Sequence, residues 1–458
     1  MYQSVLCIYP YRDDIRRRRY YPPMGLEVIA GALSPYVHRI DLVDLRHEPG
    51  SAADYVRPET DVVCFSVNWD TDPEFVRRQI DSVSDGRLVV VGGRHASEAP
   101  EKWMADCPGI DVLVRGDGEE AIVELARGVP LAEIPGVSWR DGGSVVHNPI
   151  RHMKPIRDDC HPQRRMRRTK YRLEFRGVRT GIAVDTVASS RGCPFNCRFC
   201  SFNLNPWGEK RPYSTRSVRS VVDELEEVDA DLVVFTDDIF THDMDRVGEL
   251  CDEIRARGIR KRYVVNSRIE VARHMDVVRK MEEAGFVALF LGVESAQDKT
   301  LRAMRKGFDT SWILKHFEKL RKTRMLLHGY FILGCIGETE EEMLAIAPFA
   351  RRLGLDTLGL SLLRTTPHDA LTDLIRGSPG YHVSTRGYVY SDEVSHERLR
   401  ELRRIIWRRF YTPSHVLKLA LKCIRARTFS ASMVMRIARA EILGVLPHRS
   451  RRSGSLST

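Results

Sequence analysis

The chain has 458 residues, enough for two or three domains of common size. Hydrophobic residues make up 43%, and Gly plus Pro about 12%, which excludes a collagen-like, low-complexity or wholly disordered chain. The formal charge is +10, but fifteen Lys/Arg against Glu397, Glu401 and Glu441 between His396 and Arg452 account for all of it, which argues against a nucleic-acid-coating body and for an anionic partner of the C-terminal segment.

Residues 5–9 form a short apolar run ending at Pro10, and residues 1–7 lack a charged stretch followed by an apolar one. No run approaches the eighteen apolar residues of a spanning helix, so the expected location is the cytoplasm. Residues 25–36 have helical spacing and 38–45 alternate as a strand. Strands at 62–66, 88–91 and 112–114 follow, with helices at 73–83 and 97–106 between them. This α/β alternation of continuous apolar strands predicts a parallel, doubly wound, Rossmann-like sheet over residues 1–150. Ligands of such sheets sit at the carboxyl ends of the strands. Ser66 and Asn68, Gly92 and Gly93, and Gly116 to Glu119 fall at those ends. Each segment alone is ordinary turn chemistry; three together point to a ligand site. Residues 134–143 read as a strand and the turn of a closing hairpin.

Residues 151–184 are basic, with Arg164, Arg165, Arg167 and Arg168, and read as a linker. A second alternating series fills residues 185–365, with strands at 185–188, 232–235, 263–265, 287–291, 329–333 and 357–360. Helical patterns at 218–228, 244–257, 275–283, 313–321 and 340–353 separate them, predicting a partial (β/α)6 barrel of TIM type. Residues 366–458 read as a mostly helical basic region, broken at Pro413 and Pro447.

Ten cysteines in a cytosolic chain do not make a disulfide framework. Cys7, Cys64, Cys107, Cys160, Cys251, Cys335 and Cys423 are dispersed. Cys193, Cys197 and Cys200 follow the first barrel strand with the spacing C-x3-C-x2-C. Three thiolates suit a soft metal, and zinc wants a fourth ligand close by, so the pattern fits an iron–sulfur cluster with one open iron. Asp237 and Asp238 end the second barrel strand, where a carboxylate either pairs with an ammonium or caps a helix. Arg268 ends the third strand as a fork donor suited to a carboxylate, and Glu294 ends the fourth. Gly334 to Thr339 ends the fifth, with Thr339 placed to cap the next helix.

These motifs resemble the radical S-adenosylmethionine (SAM) enzymes. The resemblance implies a [4Fe–4S] cluster on Cys193, Cys197 and Cys200, with SAM on the open iron and a 5′-deoxyadenosyl radical as its product. It also implies Phe199 beside the adenine, Asp237 and Asp238 at the SAM amino group, Arg268 at its carboxylate and Glu294 at ribose or methionine groups. Residues 21–26, 91–96 and 115–119 resemble the branch with an N-terminal cobalamin-binding domain. That implies cobalamin, held by Ser66, Asn68, Gly92 and Gly93. The motif D-x-H-x-x-G is missing after the first strand; His47 and His95 read as loop residues first and ligands second.

Within the branch, residues 200–206, 328–332 and 337–343 resemble the hopanoid C-3 methylases. This implies methylation of an unactivated carbon of a hydrophobic substrate. The alternatives are an oxidative cyclase or ring-rearranging enzyme of the same branch, or an RNA methylthiolase. The last would need a second cysteine cluster, and Cys7 and Cys64 lie inside predicted strands. The implied partners are a small-molecule or lipid substrate and an electron donor such as flavodoxin or ferredoxin, with no nucleic acid. Leu399, Leu402, Ile405, Ile406 and Phe410 form an apolar stripe ringed by arginines. Such a helix either lies on the anionic inner face of a membrane or packs over the open end of the barrel.

Overall fold

The computed structural model describes residues 2–12, 20–159, 161–175, 178–201, 204–205, 207–366, 370–426, 432–433 and 435–436. Cys160, Phe202, Asn203, Pro206 and Pro447, singled out in the sequence, lie outside the described residues.

The first unit runs β1 (Tyr2–Tyr9), α1 (Met24–Leu33), β2 (Val37–Asp44), β3 (Thr60–Ser66), α2 (Pro73–Asp81) and β4 (Leu88–Gly92). It continues through α3 (Arg94–Glu98), α4 (Pro100–Asp106), β5 (Val112–Val114), α5 (Glu119–Ala126) and the hairpin β6 (Val137–Asp141) and β7 (Ser144–His147). The sheet order is β2-β1-β3-β4-β5-β6-β7, parallel as far as β5, with the hairpin antiparallel at one edge. Both faces are covered: Val62, Val63, Cys64 and Phe65 of β3 are all buried, as the continuous apolar run predicts. Cys7 and Cys64 are register partners inside this sheet, and Cys107 lies apart against Asp81. A second cysteine cluster therefore does not form from these three. Helix α5 has no counterpart among the predicted elements; at eight residues it is too short for its period to stand out.

The second unit opens with β8 (Arg172–Phe175) and β9 (Val178–Val187), followed by the short pair β10 (Ser190–Arg191) and β11 (Ser214–Thr215). Then come α6 (Val218–Glu227), β12 (Leu232–Phe235), α7 (Met244–Ala256), β13 (Arg262–Ser267), α8 (Met275–Ala284) and β14 (Phe286–Glu294). After α9 (Asp298–Ala303) and α10 (Thr310–Leu320) the chain forms β15 (Leu326–Leu333), α11 (Glu340–Leu344), α12 (Ile346–Leu353) and β16 (Thr357–Leu362). The sheet order β16-β15-β14-β13-β12-β9-β8 contains six parallel strands, with β8 antiparallel to β9 at one edge. It is the predicted partial barrel, and β9 begins at Val178, inside the stretch read as a linker. Alternation sorts the strands: Leu289, Leu291, Leu327, Phe331 and Leu358 pack into the helix-side core, leaving Phe290, His328 and Tyr330 on the inner face.

The basic stretch before the barrel is an ion-pair strap. Arg167 donates to both carboxylate oxygens of Glu27 on α1, at 2.6 and 2.7 Å, and to both of Asp185 on β9, at 2.7 and 2.8 Å. Arg164 reaches Asp185 at 3.0 Å and Glu224 on α6 at 2.6 Å. One guanidinium thus joins the two units, and it is the bidentate geometry only arginine offers. Burial pushes the Glu27 carboxyl above its ordinary value, with Arg167 pulling the other way. Asp185, which burial alone would raise, is held low by Arg167 and Arg164.

The C-terminal region holds α13 (Leu371–Arg376), β17 (Tyr381–Val383), β18 (Val389–Ser391), α14 (His396–Phe410) and α15 (Pro413–Arg425). On α14 the apolar stripe is spent on the protein itself: Leu399, Leu402, Ile406 and Phe410 are 0% exposed, in contact with the barrel core. Helix α14 packs against α11, α12, β16 and β18, and Leu399 meets Gly334 at the carboxyl end of β15, so the apolar stripe is taken up by the barrel. No helix among the described residues is long and apolar enough to cross a membrane.

Candidate functional site

The two sheets meet through the carboxyl ends of the first. A cavity of about 330 Å³ opens there, within the range of small-molecule sites. Its walls include Ser66, Asn68, Gly92 and Gly93 from the strand ends, Leu26 and Ile29 from α1, and Gly116 to Glu119 before and at the start of α5. From the other unit come Arg191, Ser201, Leu204, Asn205 and Arg211. Arg94 donates to the Ser201 carbonyl at 2.9 Å, Arg191 to Glu119 at 2.6 Å and Arg211 to Asp117 at 2.5 Å. The cavity is therefore walled by both units, and Ser201 directly follows Cys200.

Within it, the Asn68 side chain donates to Ser66 Oγ at 2.9 Å and accepts from the Arg94 amide at 3.1 Å. Gly93 sits at φ +104°, and a Cβ there would stand 2.6 Å from the Val67 carbonyl and 2.8 Å from Asn68 Oδ1. Only glycine fits this turn. Among the described lining residues none is a histidine. His47 packs edge-on against Tyr171, and His95 against Trp103.

Cys193, Cys197 and Cys200 are half-buried thiols outside any disulfide, on the loop after β10. Among the described residues no three His, Cys, Asp or Glu side chains already stand as a metal cage. Arg268 approaches from β13, its Nη1 3.5 Å from Cys197 Sγ and its guanidinium 3.8 Å from the Phe195 ring centre. Arg268 is fixed from behind by Glu270 at 2.8 Å and by the Lys306 carbonyl at 2.6 Å.

The other predicted residues divide sharply. Asp238 accepts from the Gly192 amide at 2.8 Å, next to Cys193, while the carboxylate remains exposed to the mouth. Asp237 is 1% exposed and is consumed by the Ser189 amide and the hydroxyls of Ser189 and Ser190. It shapes the turn that leads into the cysteine loop and is turned away from the mouth. Phe199 packs into a small apolar cluster with Met304, Ile332 and Cys335.

Glu294 is held at φ +72°, beside a register shift between β14 and β15, and accepts from Lys306 Nζ at 2.8 Å. Strain of this kind at a strand end re-aims a side chain. Lys306 lies 5.6 Å from the Phe199 ring centre, which ties Glu294 to the cysteine loop. Nothing in the sequence pattern marks Lys306; it lies in a loop with no period of its own.

Glu338 is another residue the sequence reading passed over. It accepts from the amides of Gly334 and Cys335 at 3.1 and 3.2 Å, and burial pushes its carboxyl up to about 8. Thr339 beside it makes the expected cap, in a reciprocal box with Glu342. A carboxyl raised in the fold binds more protons folded than unfolded. Its stabilising contribution is full below 4.5 and is lost as pH rises to about 8. Glu338→Gln is expected to remove that part of the slope, which anaerobic urea unfolding at several pH values between 4.5 and 8 measures.

On the inner face of the barrel, Tyr330 stands edge-on to Phe290 and His328, with ring centres 6.0 and 4.6 Å away. Burial pushes the His328 imidazole down to about 4, and its Nδ1 lies 2.7 Å from Thr357 Oγ1. A Cβ on Gly359 would fall 2.7 Å from both the His328 and Tyr330 rings. The result is a neutral aromatic wall on the inner face of the barrel.

Residues 187–350 match the Radical SAM superfamily, and residues 15–126 match the B12 binding domain. An uncharacterised methyltransferase of Pyrococcus horikoshii is 29% identical over 356 residues, covering 73% of this chain and 74% of its own. The hopanoid C-3 methylase of Methylococcus capsulatus is 30% identical, over 70% of this chain and 62% of its own. The anaerobic magnesium-protoporphyrin IX monomethyl ester cyclase of Cereibacter sphaeroides is 29% identical, over 56% of this chain and 43% of its own. In fold, the chain is similar to the radical SAM methyltransferase TsrM of Kitasatospora setae, solved with cobalamin and a [4Fe-4S] cluster. That likeness has a TM-score of 0.72 at 18% identity and covers 97% of this chain and 100% of the other.

Proposed function

This chain is a radical SAM enzyme with a B12-binding domain, and we propose that it methylates an unactivated carbon of a hydrophobic substrate, a hopanoid lipid at C-3. The observation that carries the reading is the shared cavity. Gly92, Gly93 and Asn68 line it from the B12-binding side, and Ser201, next to Cys200, lines it from the cysteine loop. Methyl transfer needs its two cofactors apposed, and this cleft is where they would be.

The residues fit both groups. Three soft thiolates within eight residues suit a [4Fe–4S] cluster with an open iron. Gly92, Gly93 and Gly116 line the cavity without side chains, which suits close approach of the large B12 ring or tail. When bound, the cluster supplies the electron that cleaves SAM and cobalamin supplies the methyl carrier. The electron comes from a donor such as a flavodoxin or ferredoxin. Cys193, Cys197 and Cys200 would hold the cluster, and Arg268, its Nε and Nη2 held by Glu270 and the Lys306 carbonyl, would offer Nη1 beside Cys197 to the SAM carboxylate. Asp238, beside the cysteine loop, would receive the SAM amino group, Glu294, paired with Lys306, would orient the ribose, and Phe199 would lie by the adenine. The wall of Phe290, His328 and Tyr330 receives the apolar body of the substrate.

Gly93→Ala is expected to cost about 1–3 kcal/mol through a strained backbone. It also crowds Asn68, so corrinoid bound per chain falls while iron is retained, read by parallel cobalt and iron assays.

The substrate is tested by expressing the chain in a hopanoid-producing host and weighing the extracted lipids. A mass gain of one methyl, with S-adenosylhomocysteine formed alongside 5′-deoxyadenosine, is the expected result. Unmethylated hopanoids would remove this substrate. The similarity to the cyclase favours one second reading, oxidation or ring closure of a tetrapyrrole or other hydrophobic precursor. It predicts 5′-deoxyadenosine without S-adenosylhomocysteine.

A further inference from the structure

Helix α15 is built inside out. Its inner face is anchored: His415 Nε2 contacts the Asp356 carbonyl at 2.9 Å, Lys422 pairs with the Asp356 carboxylate at 2.6 Å, and Cys423 is buried. Those contacts fix the rotation of the helix. Its outer face then carries Leu417, Leu421 and Ile424, spaced four and three residues apart and 62%, 45% and 40% exposed. These are three of the eight most exposed large apolar side chains among the described residues, concentrated on one helical face. Isolated exposed leucines need no explanation, but an aligned stripe on an anchored helix does.

The charge around the stripe selects its partner. Lys418 and Arg425 flank it, both exposed. From residue 402 to 440 the chain has ten Lys/Arg and no Asp or Glu. An acidic protein surface would leave the leucines without an apolar partner, and a second copy of the chain would set cation against cation. An anionic lipid surface offers both an acyl boundary and negative headgroups.

We propose that the outer face of α15 docks this enzyme on an anionic membrane surface, with Leu417, Leu421 and Ile424 inserted at the headgroup boundary and Lys418 and Arg425 on the headgroups. The inference is independent of methyl transfer, because binding is read without turnover. It brings the enzyme to the surface where a lipid substrate dissolves.

The test is flotation of the full chain with phosphatidylglycerol–phosphatidylcholine vesicles and with phosphatidylcholine vesicles. The expected result is binding to the anionic vesicles alone, weakened by salt. Leu417→Glu with Leu421→Glu should reduce it about tenfold or more, and Lys418→Glu with Arg425→Glu should do the same. All four side chains are exposed, so both variants should keep the iron content and unfolding midpoint of the parent. Absence of binding by the parent chain, or undiminished binding by the leucine variant, would overturn the proposal. So would a dimer seen in sedimentation velocity that the leucine variant abolishes without any vesicle binding. Failure of the hopanoid assay leaves the flotation result standing, and failure of flotation leaves methyl transfer untouched.

Discussion

Cys200→Ala is expected to take iron from about four per chain to near zero and SAM cleavage to background, because three thiolates are the whole protein share of such a cluster. Anaerobic reconstitution followed by iron assay and 5′-deoxyadenosine detection measures both. Cys251→Ala is the matched control. Cys251 is 0% exposed in the helix-side core, and burial pushes its thiol up to about 12, so it behaves as an inert apolar residue. That variant should keep its iron and lose about 1–2 kcal/mol of stability to a small cavity. Equal iron loss in both variants would mean that unfolding, and not ligation, is being read.

Arg167→Ala carries the largest expected effect on stability. It leaves Glu27 and Asp185, both buried, without their shared guanidinium, and breaking a buried pair of this kind costs about 3–5 kcal/mol. The sign with pH follows from the carboxylates. Glu27 is already raised by burial against the pull of Arg167, so without Arg167 it rises further and takes up a proton more readily. The deficit relative to the parent chain should therefore be larger at pH 8 than at pH 5, as read from urea unfolding midpoints. Arg167→Met combined with Glu27→Gln should recover part of the loss, since the second change removes the unpaired charge. A deficit independent of pH would assign the effect to lost packing alone.

Where the sequence was legible, a single physical period carried the reading. The run Val62 to Phe65 buries both faces, as a sheet covered on two sides requires, and the run Val287 to Leu291 forms a barrel strand that leaves Val287 and Phe290 half-buried. The cysteine loop was legible because three thiols within eight residues have few other uses. What stayed hidden was long-range pairing. Arg167 is one of several arginines in a row, and nothing local distinguishes the one that meets Glu27, 140 residues away. Lys306 and Glu294 meet only because the loop after α9 folds back on the strand end. Asp237 and Asp238 read alike in the sequence, yet the backbone turn at Ser189 buries one and leaves the other at the mouth. The apolar stripe of α14 was visible, but a stripe does not say what it packs against. Barrel packing took that one and left the stripe of α15 outside.

The cavity shared by Gly93 and Ser201 makes one demand above the others, that a corrinoid sits beside the cysteine loop. Cobalt and corrinoid content of the chain, purified anaerobically from cells given cobalamin, reads this directly. About one corrinoid per chain together with about four irons is the predicted result. A chain that keeps its iron and carries no corrinoid would contradict cobalamin-dependent methylation and leave the cavity to another ligand.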